Sequence, residues 1–191
     1  MTKLVLPIDN YVPSTAAVDP ILLWRDTPDF ADFLARPDSA EFVSLLDYWD
    51  DKRGGTPAPL RSAINPADLS RLLPGIFIME VIDGPPLDFR FRLVGTNIIG
   101  GLRANFTGKT LREVFPLDGM FAIIWKQYRA AIQGDVVLRV GVDGFEDHHY
   151  RFRVPISVIL LPLRTAPDSP RIGQLLGYVK YYKEKMERVD F

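Results

Sequence analysis

Histidine and cysteine, which often take part in catalysis or ligate metals, are scarce in this chain. It has two histidines among its 191 residues, His148 and His149, which follow Glu146 and Asp147 in a predicted loop. A histidine ring nitrogen could ligate haem iron or a divalent metal. Because no further residue stands at the spacing of a metal ligand, the sequence predicts exposed loop histidines and no metal site.

The motifs of common catalytic and nucleotide-binding sites are missing. The sequence contains no G-x-S-x-G, no Walker lysine motif and no G-x-G-x-x-G. The lack of cysteine excludes disulfides, thiolate zinc sites, iron–sulfur clusters and a cysteinyl–flavin adduct. The cofactor therefore stays unknown: haem is disfavoured, and a non-covalent flavin remains open.

Arginines on three predicted strands form a second group of chemical interest. They alternate with apolar residues, so we expect them on the outer face of a sheet: Arg90, Arg92, Arg139, Arg151 and Arg153. If these strands are neighbours, the arginines form a basic ladder, which is unfavourable unless the charges are paired. Pairing with Glu80, Asp88, Glu146 or the N-terminal arm is one interpretation. The other is a docking face for an acidic partner or a phosphorylated ligand, because arginine forks suit carboxylate and phosphate.

A third group consists of apolar and aromatic residues that share the inward parity of the predicted strands and helix. We expect these side chains to converge between sheet and helix: Phe91, Leu93, Phe121, Trp125, Tyr128, Phe152, Val154 and Ile156. A cavity lined in this way is the usual form of a small-molecule site. Dense packing as an ordinary core is the alternative. The polar ends of Trp125 and Tyr128 need partners when buried, which favours a cavity slightly.

The stretch from Asp88 to Lys109 best indicates how these side chains are positioned. It begins with strict alternation of apolar and charged residues from Phe89 to Leu93, the pattern of a strand with one buried face. Glycines follow at short intervals within an apolar run. They predict tightly turned short helices in place of a long crossover helix.

The remaining elements follow from periodicity and turn residues. Further strands are predicted at 76–82, 136–142, 150–162 and 172–182, and the most amphipathic helix from Leu117 to Gln133. Asp83 to Pro86 predicts a hairpin turn. Because consecutive strands are joined by hairpins, the expected fold class is α+β, a five-stranded antiparallel sheet with helices on one face.

A further helix is predicted from about Ser39 to Arg53, in an N-terminal helical extension. Asp38 and Glu41 resemble a capping box. An apolar stripe follows at helical spacing: Phe42, Leu45, Leu46 and Trp49. The stripe either packs on the chain's own sheet or pairs with a second copy in a homodimer, so Phe42 and Trp49 are candidates for partner binding.

Prolines punctuate the N-terminal arm, where Asp19-Pro20 and Thr27-Pro28 predict two short helical turns. The patterns divide the chain into four parts: an arm at 1–36, a helical flank at 37–74, a core at 75–184 and a tail at 185–191.

Composition limits the classes of function. The chain is 47% hydrophobic and 25% charged, so it can bury a core. Its formal net charge of −1 gives no general case for binding nucleic acid or an anionic membrane. The sequence has no apolar run of membrane-spanning length and no signal-peptide h-region, so we expect a cytoplasmic location.

Short motifs stand in a characteristic order between Glu41 and Tyr182. They are Tyr48-Trp49, Arg53-Gly54-Gly55, Pro59-Leu60-Arg61, Ile64-Asn65-Pro66, Leu73-Pro74, the strand Ile76 to Ile82, Phe91 to Thr96, and Thr107-Gly108-Lys109. With the strand order, they resemble the PAS fold and, more closely, the single-domain PAS family of proteobacteria.

This resemblance implies a non-catalytic sensory or regulatory module that binds a small ligand, a signalling protein partner, or both. It does not specify the ligand. The alternative is a small-molecule enzyme of the cone-shaped α+β type, an isomerase or hydratase, which would need an Asp or Glu inside the cavity. The inward parity is almost wholly apolar, which disfavours that alternative. We expect no effector domain after the last predicted strand, so that the output would pass through another polypeptide.

Overall fold

One antiparallel sheet lies at the centre of the structure. The computed structural model describes residues 21–102, 104–115, 119–146, 151–185 and 187–189. The strands within them are β1 (Ile21–Trp24), β2 (Ile76–Ile82), β3 (Asp88–Val94), β4 (Val137–Glu146), β5 (Arg151–Arg164), β6 (Ile172–Tyr181) and β7 (Glu187–Val189). Their order across the sheet is β1-β4-β5-β6-β2-β3, with β7 beside β5, and the paired strands are antiparallel.

Helices before and between the strands complete the fold. In the described residues they are α1 (Pro28–Leu34), α2 (Ala40–Arg53), α3 (Thr96–Leu102), α4 (Leu111–Val114) and α5 (Gly119–Ile132). Short 3-10 turns at Pro66–Leu69 and Leu73–Gly75 lead into β2. The predicted α+β class and antiparallel sheet are confirmed, and the five predicted strands are present as β2 to β6.

The sheet extends beyond the five predicted strands. Residues 21–24 form β1 in place of the helical turn predicted after Asp19-Pro20, because this apolar run pairs with β4, with Leu23 opposite Leu138. The second predicted turn is confirmed as α1, where Thr27 Oγ1 accepts a hydrogen bond from the Phe30 amide at 3.4 Å. β7 adds a short pairing with the start of β5. Residues 1–20 of the predicted arm lie outside the described residues.

Alternation along β6 divides the structure into two sides. Tyr178 and Lys180 contact α2, whereas Val179 and Tyr181 line the space beneath α5. Successive side chains of a strand point to opposite faces, so α2 and α5 cover opposite faces of the sheet. The prediction of helices on one face therefore holds for the helices of the core, while the N-terminal flank covers the other face.

The apolar stripe of α2 packs against the chain's own sheet. Phe42 meets the ring of Tyr178 edge-to-face at 5.3 Å between centroids. The indole Nε1 of Trp49 donates a 2.8 Å hydrogen bond to the carbonyl of Pro162 in β5. Phe42 and Trp49 are 0% and 1% exposed, and burying a large apolar side chain stabilises a fold by about 1.5 to 3 kcal/mol. Of the two alternatives for this stripe, packing against the chain's own sheet is the one that the structure contains.

The capping box predicted at the start of α2 was wrong. Neither Asp38 nor Glu41 caps that helix; Lys180 Nζ instead donates to the Asp38 carbonyl at 2.7 Å and pairs with Glu41 at 2.8 Å. The Glu41 carboxylate, which the local pattern predicted to cap the helix, therefore pairs with the ammonium group of Lys180 on β6. A reciprocal capping box occurs at α4, where Thr110 and Glu113 exchange hydrogen bonds of 2.6 and 3.3 Å.

Gly95, at the end of β3, allows the chain to pass close to the turn that precedes β2. A Cβ atom at this position would lie 2.4 Å from the carbonyl oxygens of both Leu73 and Pro74. The Gly95 amide also donates to the Ile76 carbonyl at 2.8 Å. A glycine here therefore lets the start of α3 pack against the turn at Leu73–Gly75.

Asp50 joins α2 to the segment that follows β1. Its carboxylate accepts 2.6 Å hydrogen bonds from Arg25 Nη2 and from Arg53 Nε. Burial raises the pKa of the Asp50 carboxyl, but the hydrogen bonds and positive charges of the two arginines lower it by more, so that the pKa lies below its usual value of 3.8.

Replacing Trp49 tests how α2 is held. Trp49→Ala should lower the free energy of unfolding by about 3 to 5 kcal/mol, because it removes a fully buried indole. Trp49→Phe keeps a ring but loses the bond to Pro162, which should cost about 1 to 3 kcal/mol. Denaturant unfolding followed by circular dichroism measures both. Ser44→Ala, at an exposed position of α2, is the control, with a change within about 0.5 kcal/mol. A Trp49→Ala protein as stable as the parent would contradict this packing.

Asp50 should give the fold an acid-sensitive contribution. Because its folded pKa lies below the unfolded value, its stabilisation is complete above about pH 5 and is lost as the pH falls below about 4 and through the folded pKa. The difference in unfolding free energy between the parent and Asp50→Asn should therefore shrink over that range. Asp47→Asn, an exposed change on the same helix, should show no such trend. If the difference between the parent and Asp50→Asn stayed constant down to about pH 3, the ionised pair could not be its source.

Candidate functional site

A cavity of about 50 Å³ lies between the sheet and the helices α3 and α5. Because one water needs about 10 to 15 Å³ of such space, the cavity has room for a few waters or a small organic molecule. Much of its wall is apolar and includes Phe77, Phe91, Phe106 and Phe115. The polar residues that reach it are Gln127, Tyr128, Arg139 and Tyr181. An apolar enclosure with a few polar groups is the usual form of a small-molecule site.

The aromatic part of the wall is built on a glycine of β6. A Cβ atom on Gly177 would lie 2.0 Å from the ring of Phe77, so the missing side chain lets the end of that ring approach the backbone of β6 closely. The ring of Phe91 follows at 6.3 Å from Phe77, and Phe106 at 5.8 Å from Phe91. The three rings form a continuous apolar surface on one side of the cavity.

Gln127 ties α5 to the middle of the sheet. Its Nε2 donates to the carbonyls of Val137 in β4 at 3.2 Å and Val158 in β5 at 2.9 Å. The residue is 1% exposed and lines the cavity, and its Oε1 has no hydrogen-bond partner among the described residues. A buried acceptor in that state costs about 1 to 3 kcal/mol unless something else supplies a donor.

Arg139 also faces the cavity, so its predicted place on the outer face of the sheet was wrong. It stands opposite Val158 in the β4–β5 register, and both residues line the cavity. Arg139 is 6% exposed. The alternation failed as a guide here because both faces of β4 are buried: Val137 and Leu138 are each 0% exposed although they point to opposite faces. Where both faces of a strand are buried, alternation of residue types does not indicate which face points outward.

Tyr128 lies beside these two groups on α5. Its ring meets Phe89 at 4.9 Å in an edge-to-face contact. Burial raises the pKa of the Tyr128 phenol well above its usual value of 10.0, and the charge of Arg139 offsets part of that rise. Tyr128 is therefore a neutral phenol at physiological pH, and the positive charge of the cavity wall comes from Arg139.

Comparison with protein families agrees with this arrangement. The family model PAS_5, described as a PAS domain, matches residues 38–179. The chain belongs to the PAS_5 family. The matched range runs from just before α2 to residue 179, within β6, and so includes β2 to β5, most of the cavity wall and the helix on the opposite face. Neither the curated proteins nor the solved structures include a significant match to this chain.

The cavity of this PAS domain includes some of the eight residues predicted to bind a ligand. Phe91, Tyr128 and Ile156 line it. Leu93, Phe121, Trp125 and Val154 pack elsewhere in or against the core, and the side chain of Phe152 lies outside the described residues. Phe121 and Trp125 stack on each other at 5.4 Å, with Arg112 over the Trp125 ring at 4.7 Å. That cluster lies on the other side of Tyr128, next to Phe89.

The sequence interpretation missed most of the other lining residues, and Gln127 is the polar one among them on α5. The missed residues are Phe77, Ile98, Phe106, Phe115, Ile124, Gln127, Val158, Val179 and Tyr181. The predicted stripe of α5 followed its largest apolar residues and passed over a glutamine. The helix nevertheless places Ile124, Gln127, Tyr128 and Ala131 at the spacing of one buried face, and all four are buried. A polar residue at that position of an apolar stripe was the signal that could have identified it.

The predicted basic ladder does not form across the sheet. Arg90 and Arg92 lie on β3, an edge strand, each 3.8 Å from the carboxylate of Glu80. Two strands, β2 and β6, separate β3 from β5, where Arg151 and Arg153 lie. At about 4.8 Å between neighbouring strands, the two groups are about 14 Å apart. The side chains of Arg151 and Arg153 lie outside the described residues.

Two further sets of candidate residues can be placed. Phe42 and Trp49, the partner-binding candidates of α2, are buried on the chain's own sheet and are not available to a partner in this conformation. His148 and His149 lie outside the described residues. Within the described part of the chain, no group of three or more His, Cys, Asp or Glu residues is suited to hold a metal ion. No helix there is long and apolar enough to cross a bilayer.

A pair of glycine substitutions tests the architecture of the cavity. Gly177→Ala should lower the free energy of unfolding by about 1 to 3 kcal/mol, because the new methyl group displaces the rigid Phe77 ring towards the cavity. Gly100→Ala is the matched control on α3, where a Cβ meets nothing within 4 Å and should be neutral or stabilising by up to about 1 kcal/mol. Thermal and denaturant unfolding compare the two. Equal stability of both variants would contradict the close approach of Phe77 to the sheet.

Proposed function

We propose that this PAS domain is a non-catalytic sensory or regulatory module that binds a small molecule in the cavity beneath α5. PAS domains commonly bind ligands or protein partners, and membership of the family suggests a sensory or regulatory role. The observation that carries the ligand proposal is the cavity itself, in which buried polar groups reach an otherwise largely apolar wall. A core that was only packed would not be expected to place an arginine and a glutamine there.

The signal would arise from the two layers that form the cavity wall. Ile98 of α3 and Ile124 of α5 contribute one side, and Ile156 and Val158 of β5 the other. A ligand between the layers contacts both, so its affinity depends on how the helices sit over the sheet. Only such a difference in affinity between two arrangements can shift their populations.

The output would pass to a signalling protein partner. Arg90 and Arg92 remain the candidate contacts among the described arginines, because their side chains are 41% and 56% exposed on the edge strand β3. Glu80 lies near both and balances part of their charge, so an acidic partner would compete with an existing pair. A homodimer through the apolar stripe of α2 is not part of this proposal, because that stripe is already covered.

No observation favours the isomerase or hydratase alternative. Among the described residues, no Asp or Glu lines the cavity, so a carboxylate positioned for general acid–base catalysis is not found there.

Native and denaturing mass spectrometry of the purified protein tests ligand binding. We expect an added mass in the native spectrum that is released on denaturation. Val158→Met should reduce that occupancy, because a flexible thioether can fill the cavity from its wall. Ala122→Met places the same side chain on the exposed face of α5 and is the control. A parent protein that carries no added mass, even after incubation with a small-molecule extract of cells, would contradict the proposal.

A further inference from the structure

Gln127 leaves one polar atom of the cavity wall without a partner. Its Nε2 donates to the backbone carbonyls of Val137 and Val158, whereas its Oε1 is buried and accepts no hydrogen bond from a described residue. The amide oxygen and nitrogen cannot exchange places, because the oxygen would then face two other acceptors. Gln127 is 1% exposed and lines the cavity, so the group that remains for an occupant is an acceptor.

Water alone suits this cavity poorly. A buried water usually has about two to four polar partners, whereas the rings of Phe77, Phe91 and Phe106 occupy one side of the cavity and supply no strong donor or acceptor. The volume of about 50 Å³ has room for about three to five waters, or for one molecule with about as many heavy atoms. A molecule with a donor at one end and a short carbon chain at the other satisfies Gln127 and covers the rings at the same time.

The hydroxyl of Tyr128 adds a second polar group to the wall. Tyr128 follows Gln127 on α5, lines the cavity and is 4% exposed. No hydrogen bond connects its hydroxyl to another described residue, although a buried phenol usually has a partner. The phenol can donate and accept, while Gln127 Oε1 can only accept. A single hydroxyl group on an occupant can therefore donate to Gln127 and accept from Tyr128.

The chemistry of these two groups favours an uncharged donor. Transfer of an ammonium group from water into the protein interior costs far more than transfer of a hydroxyl, and a neutral amide oxygen compensates only a small part of that cost. A primary amide is neutral, but its two N–H donors and its carbonyl are more polar atoms than Gln127 and Tyr128 can satisfy. The single donor and the acceptor of a hydroxyl group match the two side chains.

We propose that the cavity binds a small uncharged alcohol, whose hydroxyl donates to Gln127 Oε1 and whose carbon chain lies against the rings of Phe77 and Phe91. Tyr128 donates to the oxygen of the same hydroxyl. The size of the cavity favours alcohols of about three to five heavy atoms. This ligand class rests on the proposed function of the cavity as a binding site. Gln127 thus both fixes α5 to the sheet and selects the ligand.

Propan-2-ol and acetone are the matched probes for the donor requirement. The two molecules have the same heavy atoms in nearly the same shape, but only the alcohol has an O–H donor. NMR titration of the 15N-labelled full chain gives the affinity for each probe and reports the side-chain amide of Gln127. Propan-2-ol should bind about five- to tenfold more tightly than acetone, because acetone leaves Gln127 Oε1 without a donor. Propan-2-ol should also shift the Gln127 amide resonance.

Two substitutions on α5 assign the two polar contacts. Gln127→Met keeps an unbranched side chain of similar length without the amide oxygen, so the preference for propan-2-ol over acetone should disappear. Tyr128→Phe keeps the ring and should weaken both probes about two- to tenfold while the preference remains, because alcohol and ketone oxygens both accept from the phenol. Gln133→Met makes the same replacement as the first variant at an exposed position and is the control, with unchanged affinities.

The outcomes separate this ligand class from the wider proposal. Equal affinity of the parent protein for propan-2-ol and acetone, including no saturable binding of either, would overturn the alcohol assignment, whether or not the Gln127→Met protein folds. Retention of the alcohol preference in a folded Gln127→Met protein would overturn the role of Gln127. In both cases an added native mass that is released on denaturation would still support a ligand-binding cavity, whereas its absence would remove the proposed function as well.

Discussion

The two-sided burial of β6 is the constraint on which the rest of the structure depends. Tyr178 and Lys180 hold α2 through a ring contact and a 2.8 Å ion pair, and Val179 and Tyr181 face the cavity on the other side. A slip of one residue in the register would exchange the two sets, which would place the Lys180 ammonium on the cavity side and remove its pair with Glu41. The N-terminal flank is therefore part of the core of this PAS domain, which agrees with a family match that begins at residue 38.

Covering both faces of the sheet has a consequence for the polar residues within it. A side chain on β4 or β5 cannot reach water simply by pointing away from α5, because α2 and its neighbours bury the other face as well. Arg139 is thus held inside the protein at 6% exposure, where a charge is costly unless it is paired and hydrogen-bonded. Polar groups that break the apolar pattern of a core are expected to concentrate at functional sites.

Local patterns predicted the elements well and the site only in part. The strands β2 to β6, the helices α2 and α5 and the antiparallel class follow from alternation, helical spacing and turn residues, all of which are local. The inward position of Arg139 could not be predicted, since it depends on α2 covering the far face. The failed capping box at Glu41 has the same origin, because Lys180 lies 139 residues away in sequence. Gln127, by contrast, was available from helical spacing alone.

Gln127 also connects the interior of this small cavity to the attachment of α5 to the sheet. Its two donated bonds fix α5 to β4 and β5 at the centre of the sheet, and the same amide presents its oxygen to the cavity. Hydrogen bonds in a chain polarise one another, so a donor placed on Oε1 strengthens the bonds made by Nε2. A ligand there would thus tighten the attachment of α5, whereas an apolar occupant would leave the oxygen unsatisfied. The chemistry of the occupant and the position of the helix are connected through a single amide group.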